Sequence, residues 1–278
     1  MNPLQLGLGL MLSIAIGGLA YWRHSLTISG WLGAVLIGTL TFGFGGWAWG
    51  LTLIAFFISS SLLSHYKESL KAQRAGEKFS KGGRRDFMQA LANGGLGALI
   101  ALIYGLGGTP DLLLALFAGV MGTVTADTWA TELGVLSTRP PRLITSGRVV
   151  EPGTSGAVSP VGTAASAAGA LFIGLCLLLF GTGERLLGGS GASAQLWVLI
   201  AATLGGLAGS LFDSLLGATV QALYRYPDGR ETERTNAGDG RPNAFLRGWP
   251  WMNNDLVNFI ASLVGGLVAV AVFALIGR

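Results

Sequence analysis

Two aspartates are set in surroundings that do nothing to neutralise them. Asp127 lies in Ala126-Asp-Thr-Trp-Ala-Thr-Glu-Leu-Gly134 and Asp213 in Gly209-Ser-Leu-Phe-Asp-Ser-Leu-Leu-Gly217; neither stretch contains Lys or Arg. A carboxylate in such an apolar run costs about 2.5–3.5 kcal/mol on membrane-insertion scales, so it is rarely kept without a role. Glu132 shares the first stretch, and Asn254 and Asp255 stand together in Met252-Asn-Asn-Asp-Leu-Val-Asn258. Carboxylate and amide oxygens suit hard divalent cations, and Mg²⁺ is usually shared between protein carboxylates and phosphate oxygens. Asp127, Asp213, Glu132 and Asp255 are therefore the candidate catalytic residues and ligands for Mg²⁺ or Mn²⁺.

A second group of residues has the chemistry of phosphate binding. Ser80-Lys-Gly-Gly-Arg-Arg-Asp86 sets Lys81, Arg84 and Arg85 beside glycines, and Pro152–Thr163 carries Thr154, Ser155, Ser159 and Thr163 among glycines. Glycine-rich backbone offers N–H groups to phosphate oxygens, and Lys or Arg adds charge. The stretch lacks Gly-x-x-x-x-Gly-Lys-Ser/Thr, which excludes a Walker A loop. Asn93 and Asn254 add amide groups. An acidic set together with a cationic, glycine-rich set fits a metal-bound nucleotide or diphosphate.

Each residue also has a purely structural reading. The aspartates could bind neighbouring hydroxyls to pack helices, and Asn93 could bridge two helices. Asn253–Asp255 could cap a helix, and the Lys81–Arg85 cluster could serve topology or anionic lipid alone. Trp249 and Trp251 read as membrane-interface residues, His65 as a surface residue, and Gly205 with Gly209 as a helix contact.

The elements that position these residues follow from composition. The chain has 278 residues, 51% hydrophobic and 12% charged, with mean hydropathy +0.57. A soluble domain carries about 25% charged residues. This is the composition of a polytopic all-α integral membrane protein, and 45 glycines suit closely packed spans. The single cysteine, Cys176, cannot form an internal disulfide. Apolar stretches fall at about 4–22, 28–44, 46–63, 87–106, 111–136, 160–181, 195–221 and 254–276. The first lacks a basic leader and reads as a retained helix. The total is eight, or seven if Gly45-Gly46 does not separate two helices. The whole chain reads as one transmembrane domain, with loops at about 64–86, 137–159 and 222–253. With eight spans, 16 of the 18 Lys and Arg residues lie on one side, which the positive-inside rule makes cytoplasmic or its topological equivalent.

Depth then follows from the helical rise. The fifth and seventh spans enter from the outer side, so Asp127 lies about 24 Å and Asp213 about 28 Å along them. The fourth, sixth and eighth spans start on the basic side and carry Asn93, Thr163 and Asn254. Five spans thus deliver polar groups to one layer under the basic loops. Ala126-Asp-Thr and Phe212-Asp-Ser resemble each other and hint at a duplicated helix pair.

Five segments taken in order carry a family resemblance: Lys81–Gly95, Ala126–Gly134, Pro152–Ser159, Gly209–Ala218 and Met252–Asn258. Over about residues 20–278 the chain resembles the membrane family that includes plant phytyl-phosphate kinase and mammalian transmembrane protein 19. More distantly it is similar to prenol and dolichol kinases and membrane cytidylyltransferases. The resemblance implies a kinase that converts an isoprenoid alcohol monophosphate, such as phytyl or geranylgeranyl phosphate, to the diphosphate. The donor would be a nucleoside triphosphate such as CTP, with Mg²⁺. The family's acidic positions fall on Asp127, Glu132, Asp213 and Asp255, and its asparagines on Asn93 and Asn254. One departure is Ala157, where the pattern leads us to expect glycine. The implied partners are a membrane lipid and a nucleotide, with no nucleic acid. Rival readings are a cytidylyltransferase making a CDP-lipid and an ion-coupled transporter.

Overall fold

The structure, a computed structural model, describes residues 3–75, 78, 83–107, 109–188 and 195–277. In chain order its helices are α1 Pro3–Trp22, α2 Ile28–Gly45, α3 Trp47–His65, α4 Glu68–Ala75, α5 Phe87–Gly105, α6 Pro110–Gly134, α7 Pro160–Leu186, α8 Leu196–Thr219 and α9 Asn254–Ile276. All but the short α4 are long and apolar enough to cross a membrane, which makes eight among the described residues. They agree with the expected spans to within a few residues.

Two local deviations have physical causes. The doubtful break between α2 and α3 is sharp: Gly46 has φ +90°, a conformation that suits glycine. The new N-terminus is closed by a distant carboxylate, since Trp47 N and Ala48 N donate to Glu184 Oε1 (3.3 Å) and Oε2 (3.1 Å). Glu184 explains the second deviation. The apolar run ends near Phe180, yet α7 continues to Leu186 and so carries Glu184 to that N-terminus. Glu184→Ala should loosen the α2–α3 hairpin at a cost of about 1 kcal/mol, as for a lost helix cap. Local hydrogen exchange at Trp47 and Ala48 would report it.

The bundle is built around α6, where 72% of the most apolar window is buried, against 17% in α1. α6 packs against α7, α8 and α9, α8 packs against α7 and α9, and α1, α2, α3 and α5 flank them. Glycine lets α6 and α8 touch: a Cβ on Gly122 would lie 2.7 Å from Ala202 O, and one on Gly206 would lie 2.7 Å from Gly122 C. Away from the basic end the core is aromatic. Trp49 stacks on Phe117 at 4.2 Å between centroids and lies 4.9 Å from Tyr104.

Small β elements cover the basic end. β1 Arg142–Leu143 pairs antiparallel with β2 Ala157–Val158, Leu143 opposite Ala157. β3 Leu223–Arg225 lies between β4 Glu231–Thr232 and β5 Ala244–Arg247. Arginines here close helix ends. Arg247 Nη1 and Nη2 donate to Ala218 O (3.0 Å) and Gly217 O (3.1 Å) at the end of α8. Arg74 Nη1 donates to Val135 O and Ser137 O (both 3.2 Å) past the end of α6. Burial holds the Arg247 guanidinium below the usual arginine range, and the charge of Glu231 draws it partly back. Trp249 and Trp251 stack with centroids 5.2 Å apart and are exposed, as interface residues are.

Candidate active site

Asp127 and Asp213 meet because α6 and α8 are parallel neighbours fixed at one contact. Counting from Gly122 and Gly206, the aspartates lie about 8 Å and about 10 Å further towards the basic end. Both line one cavity of about 480 Å³. Helical spacing supplies its other polar walls. Ser210 and Ser214 lie three positions before and one after Asp213, and Thr128 and Thr131 follow Asp127.

The cavity's opposite wall is made of helix N-termini. Ser159 caps α7, its Oγ accepting from Gly162 N at 3.0 Å, with Pro160 at the first helical position. Asn253 caps α9, its Oδ1 accepting from Leu256 N at 3.0 Å. α5 begins with a reciprocal cap, in which Gln89 N donates to Asp86 Oδ1 (2.9 Å) and Asp86 N to Gln89 Oε1 (3.1 Å). α7 and α9 therefore turn their positive dipole ends to the cavity, and α6 and α8, which finish there, carry the carboxylates. An anion with its cation fits between the two sets.

Among the described residues no Lys or Arg pairs with Asp127 or Asp213. A third carboxylate, Glu233, lies within electrostatic range of both. Glu233 Oε1 accepts from Ser155 Oγ and Gln221 Nε2, both at 2.8 Å, and Glu233 N donates to Lys78 O at 2.9 Å. Asn258, with its amide oriented to satisfy its neighbours, donates to Asp213 Oδ2 at 3.0 Å and Asn254 O at 3.3 Å. Ser166 Oγ is buried in the same wall with no partner among the described residues.

These donors suit a divalent cation of the Mg²⁺ type. They are hard oxygens beside an orphaned hydroxyl, and among the described residues no cation pairs with the two aspartates. No group of three His, Cys, Asp or Glu among the described residues closes into a self-sufficient metal cage. That too fits Mg²⁺, which takes one or two carboxylates and completes its shell with water and phosphate.

Thr154, Ser155, Ser159, Thr163, Asn254 and Arg85 line the cavity as expected from their chemistry. Lys81 lies outside the described residues. Four other expectations are revised. Glu132 reaches the cavity already paired, to Lys71 of α4, whose Nζ also donates to Leu63 O and Ser64 O at 2.7 Å each. Ser64 Oγ donates to Glu132 Oε1 at 2.6 Å. The stretch around Glu132 holds no cation, but the folded loop before α5 brings one. Arg84 turns away, donating to Leu26 O at 3.1 Å and lying over the Tyr21 ring. Asp255 does not line the cavity; Asn254 and Asn258, one turn apart, present that face of α9. Asn93 lies in a five-residue π-helical turn, Leu91–Gly95, and lines a separate apolar cavity. Rise per residue gave its height, but a regular 3.6-residue count does not carry through a π turn.

Glu233, Gln221, Asn258, Ser210 and Lys71 were not among the expected site residues. Asn258 was within reach, because it lies four residues after Asn254 in Met252–Asn258. Glu233 and Lys71 are loop and α4 residues with no local signal. Ala157 needs no glycine: it lies in β2 outside the left-handed region, while Gly153 and Gly156 take the positive φ values of +78° and +80°. Burial holds the Arg85 guanidinium below the usual arginine range, with the charge of Glu132 offsetting part of the shift. Arg85 is further pinned through its backbone, Arg85 N to Ser25 O and Thr27 N to Arg85 O, both 3.0 Å.

Comparison with known proteins follows this geometry. The family model described as Integral membrane protein DUF92 matches residues 11–266. Protein PGR of Arabidopsis thaliana is 37% identical over 224 residues, 76% of this chain and 77% of that protein. A membrane protein of Methanocaldococcus jannaschii, MJ0933, is 33% identical over 248 residues, 88% of this chain and 84% of that protein. Protein VTE6, chloroplastic, of Arabidopsis thaliana is 28% identical over 250 residues, 88% of this chain and 64% of that protein. No solved structure matches.

Proposed function

The chain belongs to the DUF92 family of integral membrane proteins, and on that premise we propose that it is a membrane phosphotransferase acting on an isoprenoid alcohol monophosphate. The donor is a nucleoside triphosphate, CTP in our reading, and the product is the isoprenoid diphosphate. The observation that carries this is the pair Asp127 and Asp213, on parallel neighbours and paired with no cation among the described residues, sharing one cavity with the N-termini of α7 and α9.

Asp127 and Asp213 would hold Mg²⁺, with Asn258 orienting Asp213. Bound there, the ion would supply charge neutralisation for phosphoryl transfer. The Thr154 hydroxyl and the backbone N–H groups around Gly153 to Ser155 would bind the donor's phosphates, and Arg85 the acceptor's. The acceptor oxygen forms the new bond to the terminal phosphorus as the bond to the nucleoside diphosphate breaks. That oxygen is already anionic, so positioning and electrostatics suffice without a strong base. Glu233 links the loop carrying Ser155 to the strand cover and so holds the phosphate-binding loop over the acids. By the positive-inside rule we assign the cavity to the cytoplasmic or equivalent side.

The test is direct. Purified protein with geranylgeranyl or phytyl phosphate, Mg²⁺ and CTP should yield the diphosphate and CDP. Release of pyrophosphate with a CDP-lipid would replace this reading by a cytidylyltransferase. Absence of any nucleotide product, and of Mg²⁺-dependent thermal stabilisation by CTP, would end both. A transport route is disfavoured because the polar cavity lies at one end and the Trp49–Phe117–Tyr104 cluster fills the core beyond it. Glu233→Gln keeps an acceptor for Ser155 and Gln221 but removes the charge. It should weaken Mg²⁺ dependence of CTP stabilisation by about 10- to 100-fold, as loss of an outer-shell partner does.

A further inference from the structure

A second cavity shares a wall with the first. It measures about 100 Å³ and runs between α1, α2, α3 and α5. Arg85 and Gln89 line both cavities, so the apolar one begins where the polar one ends. From that junction it extends past Ala34 and Gly38 to Phe42 on α2, about 12 Å along the helix axis. Its walls are otherwise apolar or glycine, apart from Ser13 and Asn93, and Asn93 forms no hydrogen bond among the described residues. An apolar void of about 150 Å³ stays dry in a protein and takes up a hydrocarbon, so this one is suited to a hydrocarbon rather than water.

We infer that this cavity seats the first isoprenoid unit of the acceptor lipid, with Arg85 at the junction holding the phosphate end. The inference rests on the proposed phosphotransferase reading for the identity of the lipid. Its independent support is continuity: a molecule with an anionic head and a branched apolar tail spans the two cavities, and Arg85 is the charged group at their boundary. The Arg85 guanidinium is fixed there by Ser61 Oγ at 3.3 Å and by the Phe57 ring beneath it, 5.9 Å from its centroid. Glycine at positions 9, 17, 38, 50 and 94 keeps the walls close without side chains filling the space. Phe42 closes the far end, packed against Gly9.

The experiment fills the cavity without touching the polar site. Ala34→Phe from α2 and Ile16→Phe from α1 narrow it from opposite walls. Each should raise KM for geranylgeranyl phosphate about tenfold or more, the effect of excluding roughly two buried methylenes, while KM for CTP stays unchanged. Equal changes in both constants, or none, would overturn the inference. A photoreactive geranylgeranyl phosphate gives a readout free of turnover. In the unsubstituted protein it should label α1, α2, α3 or α5 at cavity residues, and either substitution should reduce that labelling. Labelling confined to other helices overturns the tail site. If labelling succeeds while no diphosphate forms, the seat stands as a prenyl phosphate site and the phosphotransferase reading falls.

Discussion

Asp127→Asn and Asp213→Asn should each lower turnover by about 10²–10³-fold, the usual loss when one preorganised charge-stabilising group is removed from an active site. The substitution keeps volume and one acceptor oxygen, turns the other oxygen into an NH₂ donor, and removes the negative charge. Asp127, Asp213 and Glu233 lie within range of one another, and among the described residues no cation pairs with either aspartate. Removing one charge should therefore leave the fold as stable as before or slightly more so. It should abolish the part of CTP-induced thermal stabilisation that requires Mg²⁺. The double substitution should cost little more than either single one, because residues acting as a unit are not additive. Unchanged turnover with Asp127→Asn, in protein that still binds prenyl phosphate, would refute the metal assignment.

The second large effect falls on stability. Lys71→Met should destabilise the protein by about 3 kcal/mol, since it leaves the Glu132 carboxylate buried without its partner. The Lys71 and Glu132 side chains are only 10% and 21% exposed. Lys71 also closes the end of α3 through Leu63 O and Ser64 O, so the loss is structural as well as electrostatic. Lys71→Met with Glu132→Leu should recover the electrostatic part of the loss and leave the part due to the uncapped α3 carbonyls, measured as the thermal unfolding midpoint in detergent. Turnover of that double variant then decides the role of Glu132. Near-normal turnover makes the pair a strut between α4 and α6. A stable but inactive protein returns Glu132 to the metal site.

The pattern of what could be read in advance has a consistent physical basis. Membrane insertion makes a span announce itself by length and apolarity, so the helices followed from composition with only the α2–α3 break left open, and the cations fell in loops at one end. The height of Asp127 and Asp213 followed from rise per residue. The face that a residue presents was less accessible. Asp255 and Asn254 are adjacent in sequence, yet only Asn254 lines the cavity, because neighbouring helical positions are rotated by about 100°. Arg84 and Arg85 part company at a backbone bridge to the α1–α2 turn, which no local pattern encodes.

The sequence by itself determined the membrane bundle, the loops that gather its cations at one end, and the two aspartates with the glycine- and hydroxyl-rich loop. Each of these is a local cost or a local count. The fold alone decided that Glu132 has a cation, that Glu233 and Asn258 join the acids, and that an apolar cavity abuts the polar one. These depend on side chains from distant segments meeting, as when Lys71 crosses 61 residues to reach Glu132. Spacing along one helix carries no information about what another brings to it.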